Sequence, residues 1–292
     1  MNWLKYKKIY FAVSFALIII GAASLIKWGL QLSVDFTGGA LVEYQLTEQV
    51  STEELTVSLK QKKIEVSSIQ KTGSGNILIR LGPISEEEKN VVTGTILEFS
   101  EGASELRFES VGPSIGPELV KKTIYAIVIA AGAILVWVAI QFKDYRFGAS
   151  AILAMFHDSF ILIGAFSLLG KFASAEIDFL FVTALLTTLS FSVHDTIVVF
   201  DRIREIKKKE GGDLIEVSNR ALTETMVRSL NNSFTIAFML IALVLLGGTT
   251  VKWFAVALLI GTLLGTYSSP FVAVPLLVSW DNIIAVFKKK QS

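Results

Sequence analysis

Six stretches of this chain are apolar for long enough to cross a lipid bilayer, and that limits the fold more than anything else in it. A hydrocarbon core about 30 Å thick needs roughly 20 apolar residues in a helix rising about 1.5 Å per residue. Five runs meet the requirement plainly: Ile9–Ile26, Thr123–Ile140, Gly148–Leu169, Ile177–Phe200 and Asn231–Gly248. A sixth, Trp253–Trp280, is longer and contains Pro270 and Pro275. Proline gives no amide hydrogen and crowds the preceding turn, so this run predicts a tilted or kinked span. The chain is 52% hydrophobic and 18% charged, with a mean hydropathy of +0.59, as an integral membrane protein requires. It has no cysteine, which excludes disulfides, thiolate metal sites and thiol nucleophiles. Lys5, Lys7 and Lys8 ahead of the first run, and Gly21-Ala22-Ala23-Ser24 within it, are also features of a cleaved secretion signal. The run exceeds a usual signal core in length, and we read it as an uncleaved span.

Charge placement orients the spans. The basic start, the Lys143/Arg146 loop, the Asp201–Leu230 loop and the Lys288-Lys289-Lys290 tail all fall on one side, which the positive-inside rule makes cytoplasmic. Opposite them lie two short, weakly charged loops and the segment Trp28–Val120, with 14 Asp and Glu against 7 Lys and Arg. The expected organisation is a cytoplasmic start and first span over 1–27, an exported domain over 28–120, and a five-helix region over 121–280 with a cytoplasmic loop at 201–230. A cytoplasmic basic tail over 281–292 completes it.

The exported segment reads as a small α+β domain. Ala40–Leu46 alternates like a strand, and Ser51-Thr52-Glu53-Glu54 opens a helix to Lys62 with a capping-box pattern. Ile64–Thr72 and Asn76–Leu81 read as strands joined by Gly73-Ser74-Gly75, a hairpin signal. Ser85-Glu86-Glu87-Glu88 caps a second helix to Phe99, and Glu105–Val111 is a last strand. The order β-α-β-β-α-β is the ferredoxin-like split arrangement. The predicted fold class is therefore a polytopic α-helical membrane protein, six transmembrane helices with one exported ferredoxin-like domain between spans one and two. Just before the domain, Asp35-Phe36-Thr37-Gly38-Gly39 suits a tight or closely packed turn, structural or functional.

The polar residues at membrane depth carry the functional signal. The third span holds His157-Asp158, and the fourth ends in SFSVHDTIVVFDRIRE, residues 190–205, with His194-Asp195. Thr188, Ser192 and Thr196 recur at helical spacing around Asp195, so the acid is expected to top a polar stripe. Arg228, Asn231, Asn232 and Thr235 share one face at the start of the fifth span. An ionised Asp at a helix centre costs about 2.5–3.5 kcal/mol on insertion scales. Such groups are tolerable when they face the bundle interior, bond to hydroxyls or amides, pair with a cation, or stay protonated. Ser, Thr and Asn also serve as interhelical packing groups, and Arg228 also suits a plain anchor at the helix end. Adjacent His-Asp pairs lack the i, i+4 spacing of a helical metal site, so no metal is expected. Gly261, Gly265 and Ser269 recur every fourth residue, a packing surface facing either the bundle or a partner. No nucleophile elbow, phosphate-binding loop or zincin-like motif is present, so the chain is not expected to be an enzyme.

The sequence DFTGG after the first span, HD in the third, DTIVVFDRIRE closing the fourth and RSLNNS opening the fifth together resemble the SecD/SecF family of protein-export membrane subunits, on its SecF side. The resemblance covers nearly the whole chain. It implies a subunit of the bacterial cytoplasmic membrane that pairs with SecD, associates with the SecYEG channel and acts on a translocating polypeptide, with the lipid bilayer as its other surrounding and no nucleic acid. It implies that protons, rather than any cofactor, drive the work through the proton-motive force. Asp195 then matches the family's proton-relay acid and Arg228 the nearby arginine, with Asp158, His157 and His194 as further relay candidates. Thr188, Ser192, Asn231 and Asn232 would support them, and Asp35 to Gly39 form a motif at the domain base. Many family members have Asn where this chain has His194, which leaves the coupling ion and working pH open. Two rival readings are an exporter of small molecules or lipids from the same superfamily and a non-transporting scaffold subunit.

Overall fold

A computed structural model describes residues 1–71, 75–112, 115–142 and 144–280. It has six helices long and apolar enough to span a membrane. The chain forms two compact units, one of Leu30–Ala126 with Leu169–Phe179, the other of Met1–Gly29, Ile127–Leu168 and the remainder from Leu180.

The first unit holds a four-stranded antiparallel sheet: β1 (Gly39–Gln45), β2 (Val66–Lys71), β3 (Asn76–Leu81) and β4 (Ser104–Val111), in the order β2-β3-β1-β4. α1 (Lys7–Trp28) precedes it, followed by the single turn α2 (Val34–Thr37); α3 (Thr52–Gln61) and α4 (Glu86–Phe99) fall between strands. Both caps anticipated from the sequence form. Ser51 Oγ accepts the Glu54 amide, and Ser85 and Glu88 complete a reciprocal box, each cap supplying about 0.5–2 kcal/mol. Ala40, Val42 and Tyr44 of β1 and Ile77, Ile79 and Leu81 of β3 pack against Leu55, Leu59, Val92 and Ile96 of the two helices. The period of two sends Leu41, Glu43, Leu78 and Arg80 to the opposite face. Gly75 has φ +80°, as the hairpin signal requires, while Gly73 and Ser74 of that signal lie outside the described residues.

The segment between spans three and four is no free loop but part of this unit. Ile177 donates its amide to Gln31 O at 2.7 Å, Ser33 donates to Ile177 O at 2.9 Å, and Glu176 meets Arg80 at 2.6 Å. Ala175 to Asp178 are buried.

In the second unit the helices are α5 (Ile115–Gln141, its first part in the other unit), α6 (Tyr145–Ala173), α7 (Phe179–Glu210), α8 (Leu214–Leu246) and α9 (Gly248–Ser268). The segment expected as a loop over 201–230 is helical except for a short turn near Gly211-Gly212-Asp213. Its charges pair at helical spacing, Arg202 with Glu205, Glu205 with Lys209 and Arg220 with Glu224, which supports exposed helix where composition alone suggests solvated coil. The basic tail over 281–292 lies outside the described residues.

Pro270 does not break the last span. Ser269–Ala273 form a π-turn, in which the Val274 amide reaches Ser269 O, and helix resumes over 274–280. The wider turn absorbs the missing donor. Near the other end of the bundle α1 and α6 touch backbone to backbone. A Cβ on Gly164 would stand 2.5 Å from Gly21 Cα, and Ser24 Oγ donates to Ser167 Oγ at 2.7 Å. The small residues of the first run thus form a helix-packing face.

Candidate functional site

The stripe on α7 and the small-residue repeat on α9 fit one another step for step. Thr188, Ser192 and Thr196 face Gly261, Gly265 and Ser269, both sets at intervals of four. A Cβ on Gly261 would lie 1.9 Å from Thr188 Cγ2, one on Gly265 would lie 3.3 Å from Ser192 Cα, and Thr196 Oγ1 is 3.0 Å from Ser269 Oγ. The repeat therefore serves packing inside the chain.

This close crossing builds the first acid site. Asp158, buried on α6, receives Ser192 Oγ from α7 at 2.6 Å and Ser268 Oγ from the last span at 2.5 Å on Oδ2. Its Oδ1 lies 2.8 Å from His157 Nδ1. One carboxyl thus ties α6 to two other helices through short hydrogen bonds. His157 is also buried, and its Nε2 has no partner among the described residues.

Asp195 occupies a different place. It stands three residues from Ser192, which turns it off the packed stripe and toward α8. The expectation that it tops the stripe is corrected accordingly: Asp158 takes that position, because α6 reaches the crossing at Ser192. Asp195 is half-buried and, among the described residues, accepts one hydrogen bond, from Ser229 Oγ at 3.1 Å. It lines a cavity of about 390 Å³ with His194, Asn232, Ser233, Thr262 and Thr266. His194 is exposed on the bundle surface.

Arg228 does not join Asp195. On α8 it is the neighbouring Ser229 that faces the carboxyl, and successive helical residues point about 100° apart. Arg228 is exposed and lines a separate cleft of about 1060 Å³ with Asp144, Asp201, Glu205 and Glu224, at the end of the bundle that carries the charged helical hairpin. Among the described residues it forms no ion pair. In that cleft the Arg146 guanidinium, 2.7 Å from Asp144, holds the Asp144 carboxyl below the usual range. Asn231 is exposed and its carbonyl accepts from Thr235, so of the two asparagines only Asn232 reaches the cavity.

In the other unit, Asp35-Phe36-Thr37-Gly38-Gly39 is a helical turn followed by two left-handed glycines at φ +72° and +106°. Phe36 is buried, and Thr37 Oγ1 donates to Ser33 O at 3.1 Å. A Cβ on Gly39 would strike Leu81 O at 2.5 Å, so no other residue fits there without moving β3. Asp35 Oδ2 accepts the amide of Phe179, the first residue of α7, at 3.0 Å.

Three residues with evident roles escaped the sequence reading: Ser229, Ser268 and Glu176. Ser229 lies within RSLNNS and Ser268 beside the α9 repeat, so both had local signals. Glu176 had only its place in a short connection.

Fold and site together define a multi-pass membrane protein with carboxyl groups held inside its helix bundle. Residues 92–283 match the family described as protein export membrane protein SecD/SecF, C-terminal, and residues 23–50 match the SecD/SecF GG motif. The chain belongs to the SecD/SecF family. It is 40% identical to a protein translocase subunit SecF of Thermobaculum terrenum, over 98% of this chain and 96% of the relative. A second SecF, from Anaerolinea thermophila, is 37% identical over 97% of this chain and 94% of its own length. The crystal structure of SecDF, a translocon-associated membrane protein from Thermus thermophilus, superimposes with a TM-score of 0.85 at 34% identity. That match covers 97% of this chain and 39% of the longer SecDF chain.

Proposed function

We propose that this chain is a SecF-type translocase subunit of a bacterial cytoplasmic membrane, with both termini cytoplasmic and its sheet unit exported as a ferredoxin-like domain. It works with SecD beside the SecYEG channel and draws on the proton-motive force, with no cofactor, to help a polypeptide complete its crossing. The observation that carries this reading is Asp195: a carboxyl at membrane depth, held by one hydroxyl and open to a polar-lined cavity. Such a group can gain and lose a proton without dismantling the packing around it. Asp158 and His157 stand on the other side of Ser192 as a second pair in the relay, and His194 lies at the cavity mouth. Arg228 enters the relay only in an arrangement that brings it to the acid.

The energy scale fits. One charge crossing about 100 mV is worth about 2.3 kcal/mol, enough to bias two helix packings, while a swing from 1:99 to 99:1 needs about 5.5 kcal/mol. A second crystal structure, SecDF in a super-membrane-facing form, matches this chain at a TM-score of 0.70, against 0.85 for the first, at nearly equal identity. The relatives' names favour this reading over an exporter of small molecules. The test is export into energised vesicles carrying Asp195→Asn, with and without a proton gradient. Assembly with SecD should persist while the gradient-driven component disappears; full gradient-driven export in the variant would refute the relay.

A further inference from the structure

The cleft at the charged end of the bundle holds more cations than its acids engage. All four of its carboxylates are taken: Asp144 by Arg146 at 2.7 Å, Asp201 by Arg204 at 3.2 Å, and Glu205 and Glu224 by Arg202, each at 2.5 Å. Lys209 and Arg220 add second contacts to Glu205 and Glu224, at 2.7 and 3.0 Å. Lys207, Lys208 and Arg228 line the same cleft and have no ion-pair partner among the described residues. Lys207 acts on Asp144 through space, but Arg146 makes the hydrogen bonds to that carboxylate. Six basic side chains among the described residues therefore face four acids, and three of the six are uncommitted.

The lining is not polar throughout. Phe147, Val198 and Leu214 contribute to it; Phe147 belongs to the apolar core of the bundle, and Leu214 packs against that core. A soluble anion gains nothing from such a surface, whereas an amphiphile does. The level of the cleft also suits a membrane boundary. Arg228 stands three residues before the apolar run from Asn231, about 4.5 Å along α8. Lys207 stands seven residues past the run that ends at Phe200, about 10 Å along α7. The headgroup layer is about 5–8 Å deep on each side of the hydrocarbon, and a lysine stem carries its charge several bonds from the backbone.

We propose that this cleft binds the headgroup of an anionic phospholipid. The ammonium groups of Lys207 and Lys208 and the guanidinium of Arg228 donate to the phosphodiester oxygens. The glycerol and the first chain carbons lie on Phe147, Val198 and Leu214. A volume of about 1060 Å³ is ample for a group of that size. The inference concerns binding alone and stands apart from whether Asp195 carries protons.

Native mass spectrometry tests it on the full chain in detergent micelles, titrated with phosphatidylglycerol or with phosphatidylcholine of the same chains. The mass identifies the lipid retained, and the titration gives the affinity for the first one bound. The native chain should hold its first phosphatidylglycerol about tenfold more tightly than phosphatidylcholine. Lys207→Gln combined with Lys208→Gln should weaken phosphatidylglycerol by about tenfold, each cation near a membrane surface being worth about fivefold, and should leave phosphatidylcholine unchanged. Lys5→Gln combined with Lys8→Gln removes the same charge from exposed positions outside the cleft and should have little effect. Glycerol phosphate, a headgroup without chains, should not displace the lipid at equal concentration. Equal affinity for the two lipids in the native chain overturns the proposal. A loss in the cleft pair no larger than in the control pair also overturns it, in favour of general attraction to a basic surface. Displacement by glycerol phosphate at equal concentration overturns it in favour of a site for soluble phosphates.

Discussion

Asp158 and Asp195 are the same residue type on neighbouring helices, and their surroundings could hardly differ more. Asp158 is saturated: two hydroxyls and an imidazole close on it from three helices, and it is buried. Asp195 has one hydroxyl and a cavity. Replacing the saturated carboxyl therefore strips bonds to three side chains, and replacing the open one strips a single bond. The comparison separates an acid tied to three side chains from an acid tied to one and open to a cavity, although sequence alone makes them look alike.

The sharpest way to break this contrast is Asp195→Asn. We expect the gradient-driven part of export to vanish while thermal unfolding in detergent changes by only about 1 kcal/mol, the worth of a single hydrogen bond. Asp158→Ala should lower stability more, by about 1–3 kcal/mol for each polar partner left buried and unpaired. Equal stability losses at the two acids would erase the distinction. Gly261→Val tests the crossing that gathers the Asp158 donors. The clash with Thr188 should cost about 1–3 kcal/mol, read from the unfolding midpoint. The smallest effect belongs to a third kind of acid, Asp144 outside the spans, whose carboxyl Arg146 holds below its ordinary value. A depressed folded-state value means the contribution is present above about pH 4 and fades as pH falls through the folded value. Asp144→Asn should therefore differ slightly from the native chain at neutral pH, by less than about 1 kcal/mol, and the gap should close in acid.

What could be read in advance follows from range. Spans, caps and the α9 repeat are local patterns, and the six apolar runs, Ser51, Ser85 and Gly261/Gly265 all behave as their spacing implies. The different fates of Asp158 and Asp195 depend on Ser268 and Ser229, side chains that come from elsewhere in the chain, and no local pattern ranks one acid above the other. The helical hairpin around Gly211-Gly212 is less legible for another reason: a run dense in charge reads as a loop by composition, and only the pairing of those charges at three and four residues marks it as helix. The docking of Glu176 on Arg80 joins positions 96 residues apart and leaves no trace in composition.

The π-turn at Ser269–Ala273 has a consequence for how the last helix can behave. It holds one residue more than a regular turn, so the segment over 274–280 is set out of phase with Gly248–Ser268 by about 100°, the angle one residue subtends. Were that surplus residue taken up, Val274, Leu277 and Val278 would have to swivel out of their packed positions or the rod would have to slide lengthwise by one step. The helix thus contains a ready-made dislocation, located beside the serines that grip Asp158 and Thr196.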